Sequence, residues 1–421
     1  MTVPVRAMSG RDCCDELAVS WPRARTIARE ATSGLPPREI PVGAAGWSRL
    51  AEDLIAGTDM PARASSAMDG WAVCGPPPWR ETGAALAGDA HSLVVHPGCA
   101  VRVATGAVLP DGAEAVVRAE DVCLSVGGAV DVLLPENVPT VGRHIRAAGE
   151  EARRGDLLLA AGTTITPPVL ALAAAAGRDA LTVFRRPAVQ CIVMGDELVT
   201  SGVALGSGVR DALGPQLPGW IESLGGEHLA TTMMSDAPGA LAAALNNLLT
   251  GSHGTVPDVV ITTGGTAHGT ADHVRGAVRS VGGRWLVRQV AVRPGHPMCM
   301  ARLSDQVILV ALPGNPLAAC AALLTLVAPL MASLQHEPWG PEVARWPVAA
   351  KCEPSTGVHR LVPCLIEHGK AVPTAHRGSA MLRGMARADG MLVVPPEGLT
   401  VGEHGEVLTL PWMARRGRQG P

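Results

Sequence analysis

Along this chain the rhythm of apolar and polar positions changes four times. Residues 12–56 carry apolar positions at helical spacing, clearest in GWSRLAEDLIAG at 46–57, and predict helix. From Pro61 to about Glu150 the texture becomes short Val-rich runs, among them SLVVHPGCAVRVATG, GAEAVVRAEDVCLSV and AVDVLLPE, broken by Gly, Pro and Asp, which predicts an all-β segment. GDLLLAAGTTITPPVLALAAAAG then predicts a turn, a strand and a helix opened by Pro167–Pro168, because Pro suits a first helical turn. Over 187–333 the apolar runs AVQCIVMG, DVVITTGG and QVILVALPG alternate with the helical segments QLPGWIESLGG, APGALAAALNNLLT, ADHVRGAVRSVGG and PLAACAALLTLVAPLM. That alternation predicts a parallel sheet with helices on both faces. After about Trp339 short β-runs return (WPVAAKCEP, HRLVPCLIE, GMLVVPPEG, GEVLTLPW) and predict a small β-domain. No internal repeat and no low-complexity linker is visible.

One run matches two patterns. Val307 to Gln335 carries no charge and is long enough to read as a membrane helix. It contains LPGNP near its start and Pro329 near its end, so a strand, a turn and a buried helix explain it better.

Composition narrows the class. A chain of 421 residues is too long for one ordinary domain. With 47 % hydrophobic and 17 % charged residues it belongs among soluble globular proteins and not disordered ones. The formal charge is −3, so any site for an anion must be local and not a field of the whole protein. There is no Tyr, one Phe and nine Trp, so the cores must be aliphatic and rich in small residues. Lys stands only at Lys351 and Lys370, which leaves Arg as the natural oxyanion clamp. Ten Cys occur as one adjacent pair, Cys13 and Cys14, and as singletons, with no CxxC and no zinc spacing; buried free thiols in a reducing compartment are expected. The N-terminal MTVPVRAMSGRDCCDELAV lacks an apolar core, so no signal peptide is expected.

Candidate chemistry gathers where strands of the α/β segment end. Three of them run into Gly195-Asp196-Glu197, Gly264-Gly265-Thr266-Ala267-His268-Gly269 and Pro313-Gly314-Asn315-Pro316. Ligands of open parallel sheets sit beyond the carboxyl ends of the strands, glycines admit close backbone approach, and N–H groups at a following helix start attract anions. A phosphate or another oxyanion is the expectation; a tight strand-to-helix turn without a ligand is the plain alternative. The spacing is neither that of a P-loop, which needs Gly-Lys-Ser/Thr, nor that of a dinucleotide fingerprint. The acids nearby are Glu197, Asp236 in MMSDAPGAL, where a helix cap is the competing reading, and Asp272 in a first helical turn. Asp69 lies apart, in SSAMDGW. Carboxylates beside a phosphate site commonly hold Mg²⁺. The cations are Arg293 and His296 in VAVRPGHP, Arg146 in GRHIRAAGEE and Arg360 in TGVHRLV.

Eight motifs then occur in one order: PARASSAMDGWAV, VATGAVLPDGAEAVV with Glu120 soon after, GRHIRAAGEEARRGDLLLAAGTTITP, GDEL, VVITTGGTAHGTADHV, VAVRPGHP, VALPGNPLAA and HRGSAMLRGMARADGMLVVPP. Through them the chain resembles, from about Ala18 to Trp412, the molybdopterin molybdenumtransferases, the MoeA family, to which the gephyrin E domain also belongs. The resemblance implies an α/β plus β fold in an elongated four-domain subunit. Its parts would be a discontinuous mixed helical and strand N-terminal domain (1–56 with 152–186), an inserted β-rich domain (57–151), a MogA-like parallel α/β domain that binds molybdopterin (187–335) and a C-terminal β-barrel-like domain (336–421). It implies a cytoplasmic homodimer whose active site lies between the α/β domain of one subunit and the β segment of the other. The implied reaction inserts molybdenum from molybdate into adenylylated molybdopterin, with Mg²⁺-dependent release of AMP. Implied partners are a molybdopterin adenylyltransferase and molybdoenzyme acceptors or their chaperones, with no nucleic acid and no membrane.

Residue by residue, the resemblance assigns catalytic roles to Asp69, Thr105, Arg146, Glu197, Asp236 and Asp272, with Glu197 and Asp272 tied to magnesium. It assigns substrate contacts to Gly264, Gly265, Gly269, Pro313, Gly314 and Asn315, and molybdate contacts to Arg293, His296, Pro297, Arg360 and Ser379. The chain departs from the family pattern at several of these motifs. Arg293 and His296 stand where Lys is usual, and Gln289 replaces a further Lys. Ala267 and His268 alter the glycine loop, Glu151 replaces an Asp, and Asp211-Ala212-Leu213 lacks the usual Asn. Trp71 and His273 replace Tyr or Phe. These departures raise a second reading, a molybdopterin-binding or partner-binding module that turns over poorly; an unrelated nucleotide-handling α/β enzyme is a third.

Overall fold

The computed structural model describes residues 18–86, 88, 93–125, 129–204, 206–252, 254–264, 272–337 and 343–415. The chain divides into two compact units, Met1–Pro36 with Phe184–Pro421, and Pro37–Val183.

In the larger unit a six-stranded sheet carries the order Glu227–Met234, Ala188–Met194, Val259–Thr263, Ile308–Leu312, Cys299–Arg302, Arg284–Val287. The first four are parallel to one another. Cys299–Arg302 runs antiparallel to both its neighbours, Ile308–Leu312 and Arg284–Val287, so the sheet is mixed where alternation alone predicts an all-parallel one. The cause is local. Leu303 N–H donates to the Val307 carbonyl at 2.9 Å, and so short a connection between Cys299–Arg302 and Ile308–Leu312 can join only antiparallel neighbours.

The uninterrupted apolar runs follow from burial of both faces. Val189, Cys191, Val193, Val259, Ile261, Val310 and Leu312 enter one core, with Leu217, Trp220 and Ile221 of the helix Leu217–Ser223. Their alternates Ile192, Met194, Val260, Leu309 and Ala311 enter the other, under the helices Ala240–Thr250 and Asp272–Ser280. Each such Val, Ile or Leu contributes about 1.5–3 kcal/mol on leaving water.

The uncharged run folds as the strand Ile308–Leu312 and a helical stretch over Pro316–Leu334. That stretch is long and apolar enough to cross a membrane, yet 94 % of its apolar window is buried inside the protein. A π turn over Leu323–Val327 interrupts its regular hydrogen-bond ladder. The helix Trp21–Glu30 packs there, burying Trp21, Ala24, Arg25 and Ala28 at helical spacing. Trp21 Nε1 donates to Thr325 Oγ1 at 3.0 Å, and buried Arg25 donates to the Leu324 carbonyl at 2.6 Å. Ala18–Ser20 pairs with Gln289–Arg293 and so extends a second sheet, which continues through His359–Glu367, Gly390–Val394, His404–Thr409 and Val343–Pro347. Residues 18–36 pack with this unit.

Helix was expected throughout 12–56, but among the described residues it covers only Trp21–Glu30 and a short 3₁₀ turn at Val42–Ala44. GWSRLAEDLIAG forms the short strands Arg49–Leu50 and Leu54–Ile55 instead. Leu50 and Leu54 are both buried, so their four-residue spacing reads as helical, but Leu54–Ile55 pairs with Leu157–Leu159. Strand pairing overrides the helical preference of Leu, Ala and Glu. In the smaller unit a six-stranded sheet runs in the order Val122–Leu124, Ala129–Val132, Trp79–Ala85, Cys99–Val103, Gly70–Val73, Ala115–Arg118, and the helix Pro167–Ala175 opens on its two prolines.

Candidate active site

At the carboxyl end of the larger unit's sheet, Ala188–Met194 turns through Gly195, whose φ of +143° suits only glycine. Gly195 N–H donates to the Met234 carbonyl at 3.3 Å, which ties this turn to the neighbouring strand. The backbone N–H of Asp196 then donates to Asp236 Oδ2, and that of Asp236 to Asp196 Oδ1, each at 3.3 Å. Asp236 is thus no helix cap. The helix Ala240–Thr250 starts instead from Gly239, in the left-handed region at φ +82°. Asp196 and Glu197 are exposed and Asp236 is half-buried at this end of the sheet.

Gly264 has φ +79°, donates to the Leu312 carbonyl at 3.3 Å, and would bring a Cβ within 2.9 Å of the Met194 carbonyl oxygen. Gly314 approaches so closely that a Cβ on it would lie 3.7 Å from the Gly264 Cα. The first residue of the glycine loop and the Pro313-Gly314-Asn315 turn therefore come together. Residues 265–271, with Gly265, Ala267, His268 and Gly269, lie outside the described residues, as does the side chain of Asp272 at the start of its helix.

The helix after Asn315 departs from expectation. Its N–H groups at Leu317 and Ala318 donate to the Ser379 carbonyl, at 2.9 and 3.3 Å. A protein carbonyl, not an anionic ligand, satisfies this helix start.

The same contact leads to a cationic cavity. Arg293 and Arg360 are register partners on adjacent parallel strands. With Lys351, Arg377, Ser379 and Glu353 they line a space of about 490 Å³. Arg360 donates through Nη2 to the Glu353 carbonyl, while its Nε–H is buried without a partner. Lys351 and Arg377 were missed in the sequence. The available signals were that Lys351 is one of two lysines and that Arg377 stands two residues before Ser379.

His296 and Pro297 do not line that cavity. His296 Nδ1 lies 2.8 Å from the Val290 carbonyl, which only accepts, so this nitrogen carries a proton. Val290 N–H donates back to the His296 carbonyl at 3.1 Å, so the pair closes the turn that carries Arg293. Two of the departures from the family pattern sit in core positions. Gln289 is 4 % exposed beside Ala18, and Leu213 packs in the larger core. The neighbouring Asp211 is buried and accepts from the N–H groups of Leu213 and Gly214, each at 2.9 Å, which is a turn-holding role.

In the smaller unit, Asp69 and Thr105 come together. Asp69 Oδ1 accepts from the Thr105 backbone N–H at 2.7 Å and its hydroxyl at 3.1 Å. These bonds, the backbone one first, hold the exposed Asp69 carboxyl below the usual carboxylate range. Gly70 is obligatory beside it, because a Cβ there would lie 1.8 Å from the Val117 carbonyl oxygen. Arg146, paired in register with Ser65, lines a separate space of about 600 Å³ with Asp59, Glu150 and Glu151. The larger unit thus gathers cations and carboxylates, and the smaller one an oriented acid and an Arg among acids.

Models of known families match three stretches. These are the MoeA N-terminal region (domain I and II) over residues 19–177, a probable molybdopterin binding domain over 190–333, and the MoeA C-terminal region (domain IV) over 346–410. The molybdopterin molybdenumtransferase of Synechococcus elongatus is 32 % identical over 88 % of this chain and 93 % of its own length. Molybdopterin molybdenumtransferase 2 of Mycobacterium tuberculosis is 30 % identical over 88 % and 94 %. Among solved structures, the molybdopterin biosynthesis MoeA protein from Pyrococcus horikosii aligns with a TM-score of 0.70 at 26 % identity, covering 93 % of this chain and 99 % of that one.

Proposed function

The chain belongs to the MoeA family, and from that premise we propose that it is a molybdopterin molybdenumtransferase, which inserts molybdenum from molybdate into adenylylated molybdopterin and releases AMP. The observation that supports this most is the pairing, in one unit, of a carboxylate-edged, glycine-lined sheet end with a cationic cavity, the two joined through Ser379. A polyanionic substrate needs backbone room at Gly264 and Gly314; a small oxyanion needs fixed cations.

In this reading Arg293 and Arg360 hold molybdate, with Ser379 on the same cavity wall. His296 and Pro297 shape the turn that carries Arg293 and act as positioning residues. Gly264, Gly265, Gly269, Pro313, Gly314 and Asn315 receive the pterin and its phosphates. Asp236 and Asp196 keep each other's loops in place at the mouth of the site. Asp69, oriented by Thr105, and Arg146 act on the phosphate end of the substrate.

Mg²⁺ fits in part. Glu197 and Asp272 supply carboxylates, the hard oxygen donors that ion takes. No group of three His, Cys, Asp or Glu among the described residues is arranged to enclose a metal, so substrate phosphates would complete its shell. When bound, the ion would neutralise phosphate charge as the anhydride is cleaved.

We place the protein in the cytoplasm as a homodimer, one copy contributing Asp69 and the other the glycine turns. A molybdopterin adenylyltransferase would supply it, and molybdoenzymes or their chaperones would receive the product. The test is AMP release from adenylylated molybdopterin with Mg²⁺ and molybdate. Release that Asp272→Ala abolishes and Asp69→Ala slows is expected. Tight substrate binding with no AMP under the same conditions would leave only the binding-module reading.

A further inference from the structure

The cationic cavity holds more charge than the roles above use. Four cations, Arg293, Lys351, Arg360 and Arg377, line it against the single carboxylate of Glu353. Among the described residues neither Arg293 nor Arg377 makes an ion pair. Lys351 does pair with Glu353, at 3.0 Å, but both side chains are more than half exposed, 61 % and 67 %, so the pair is weak and Lys351 is available to a bound anion. The loop that carries Arg377 is anchored two residues on, where the Ser379 carbonyl accepts from the N–H groups of Leu317 and Ala318. The charges of Arg360 and Arg377 also converge on the cavity wall at Cys352. There burial pushes the thiol up and the two guanidinium fields oppose that push.

We propose that Lys351 and Arg377 bind the oxyanion directly beside Arg293 and Arg360, and that this ring of four cations makes the site select a doubly charged tetrahedral oxyanion over a singly charged one. The inference rests on the cavity being the molybdate seat. Charge attraction scales with the charge of the ligand, so each added cation favours a dianion twice as strongly as a monoanion of the same shape. Arg377 has no acidic partner and carries more of this selectivity than Lys351, which Glu353 partly offsets.

The test is calorimetric titration of the full chain with molybdate and, separately, with perrhenate, a tetrahedral monoanion. Arg377→Gln is expected to weaken molybdate about tenfold and perrhenate about threefold, the ratio that follows from their charges. Lys351→Gln is expected to weaken molybdate about threefold. Arg377→Lys should keep most of the dianion preference, and Lys370→Gln, the same charge change outside the cavity, should stay within about twofold of the parent. If Arg293→Gln weakens molybdate binding strongly while Arg377→Gln leaves it near the parent value, or weakens both anions equally, the four-cation ring is wrong and the cavity's role stands. If Arg293→Gln has no effect on molybdate, the cavity is not its seat, and both readings fall.

Discussion

Asp258 opens the central strand Val259–Thr263, and the amino ends of the larger sheet converge on it. Its carboxylate accepts from Arg185 Nη1 and Nη2 at 2.7 and 2.8 Å, and from the Ala188 N–H at 2.7 Å. The Asp258 side chain is 7 % exposed and that of Arg185 25 %. Asp258→Ala leaves a buried N–H at Ala188 without a partner, which costs about 1–2 kcal/mol. It also strands the Arg185 guanidinium. Breaking a fully buried pair costs about 3–5 kcal/mol, but Arg185 keeps some water and a bond to the Arg186 carbonyl at 3.1 Å, so about 2 kcal/mol is the better figure. Together the loss is about 3–4 kcal/mol, or more than a hundredfold in the opening equilibrium. Hydrogen exchange followed by mass spectrometry on peptides covering Ala188–Met194 and Val259–Thr263 reads that opening directly. Asp258→Asn, which keeps one acceptor, should lose about half as much. The double variant Arg185→Met with Asp258→Leu should recover much of the Arg185 share, because no unpaired charge remains. Exchange that speeds up less than tenfold in Asp258→Ala, or a double variant no better than the single one, would refute the reasoning.

Three further outcomes follow from the geometry. Gly70→Ala should unfold the sheet of the smaller unit by more than about 3 kcal/mol, since the contact at Val117 is with rigid backbone; melting that differs little from the parent would contradict this. Thr105→Val should raise the Asp69 pKa toward 3.8 without reaching it, because the stronger backbone bond remains, and carboxyl NMR titration measures this. Being lowered on folding, the Asp69 pKa adds stability at pH values above the unfolded one, and that contribution is lost as pH falls through the folded value. Burial pushes the thiols of Cys191, Cys299, Cys320 and Cys364 up to about 12. Iodoacetamide at pH 8 should therefore alkylate exposed Cys123 in the native protein and those four only in denaturant, as peptide mapping would show.

Local pattern carried the strand ends of the larger sheet. The runs ending in Gly195, Gly264 and Pro313 are legible as strands because both of their faces are buried, and Gly195 and Gly264 stand at positive φ, where glycine is favoured. What escaped local pattern was pairing at long range. Nothing in GWSRLAEDLIAG shows that Leu54–Ile55 will meet Leu157–Leu159, nor does VAVRP show that its strand lies between Ala18–Ser20 and His359–Glu367. The helix start after Asn315 looked like an anion site because its N–H groups had no partner nearby in sequence. The partner is the carbonyl of Ser379, more than sixty residues later. Lys351 and Arg377 escaped for the same reason: each is an ordinary surface cation until the fold brings it to the cavity of Arg293 and Arg360.

Molybdenum and AMP, counted together, test the proposed activity most directly. The purified chain would be incubated with adenylylated molybdopterin, Mg²⁺ and molybdate, and the pterin product assayed for bound metal. The account predicts one molybdenum gained per AMP released, with both lost in Asp272→Ala. AMP released without metal on the pterin, or neither despite tight substrate binding, would contradict it.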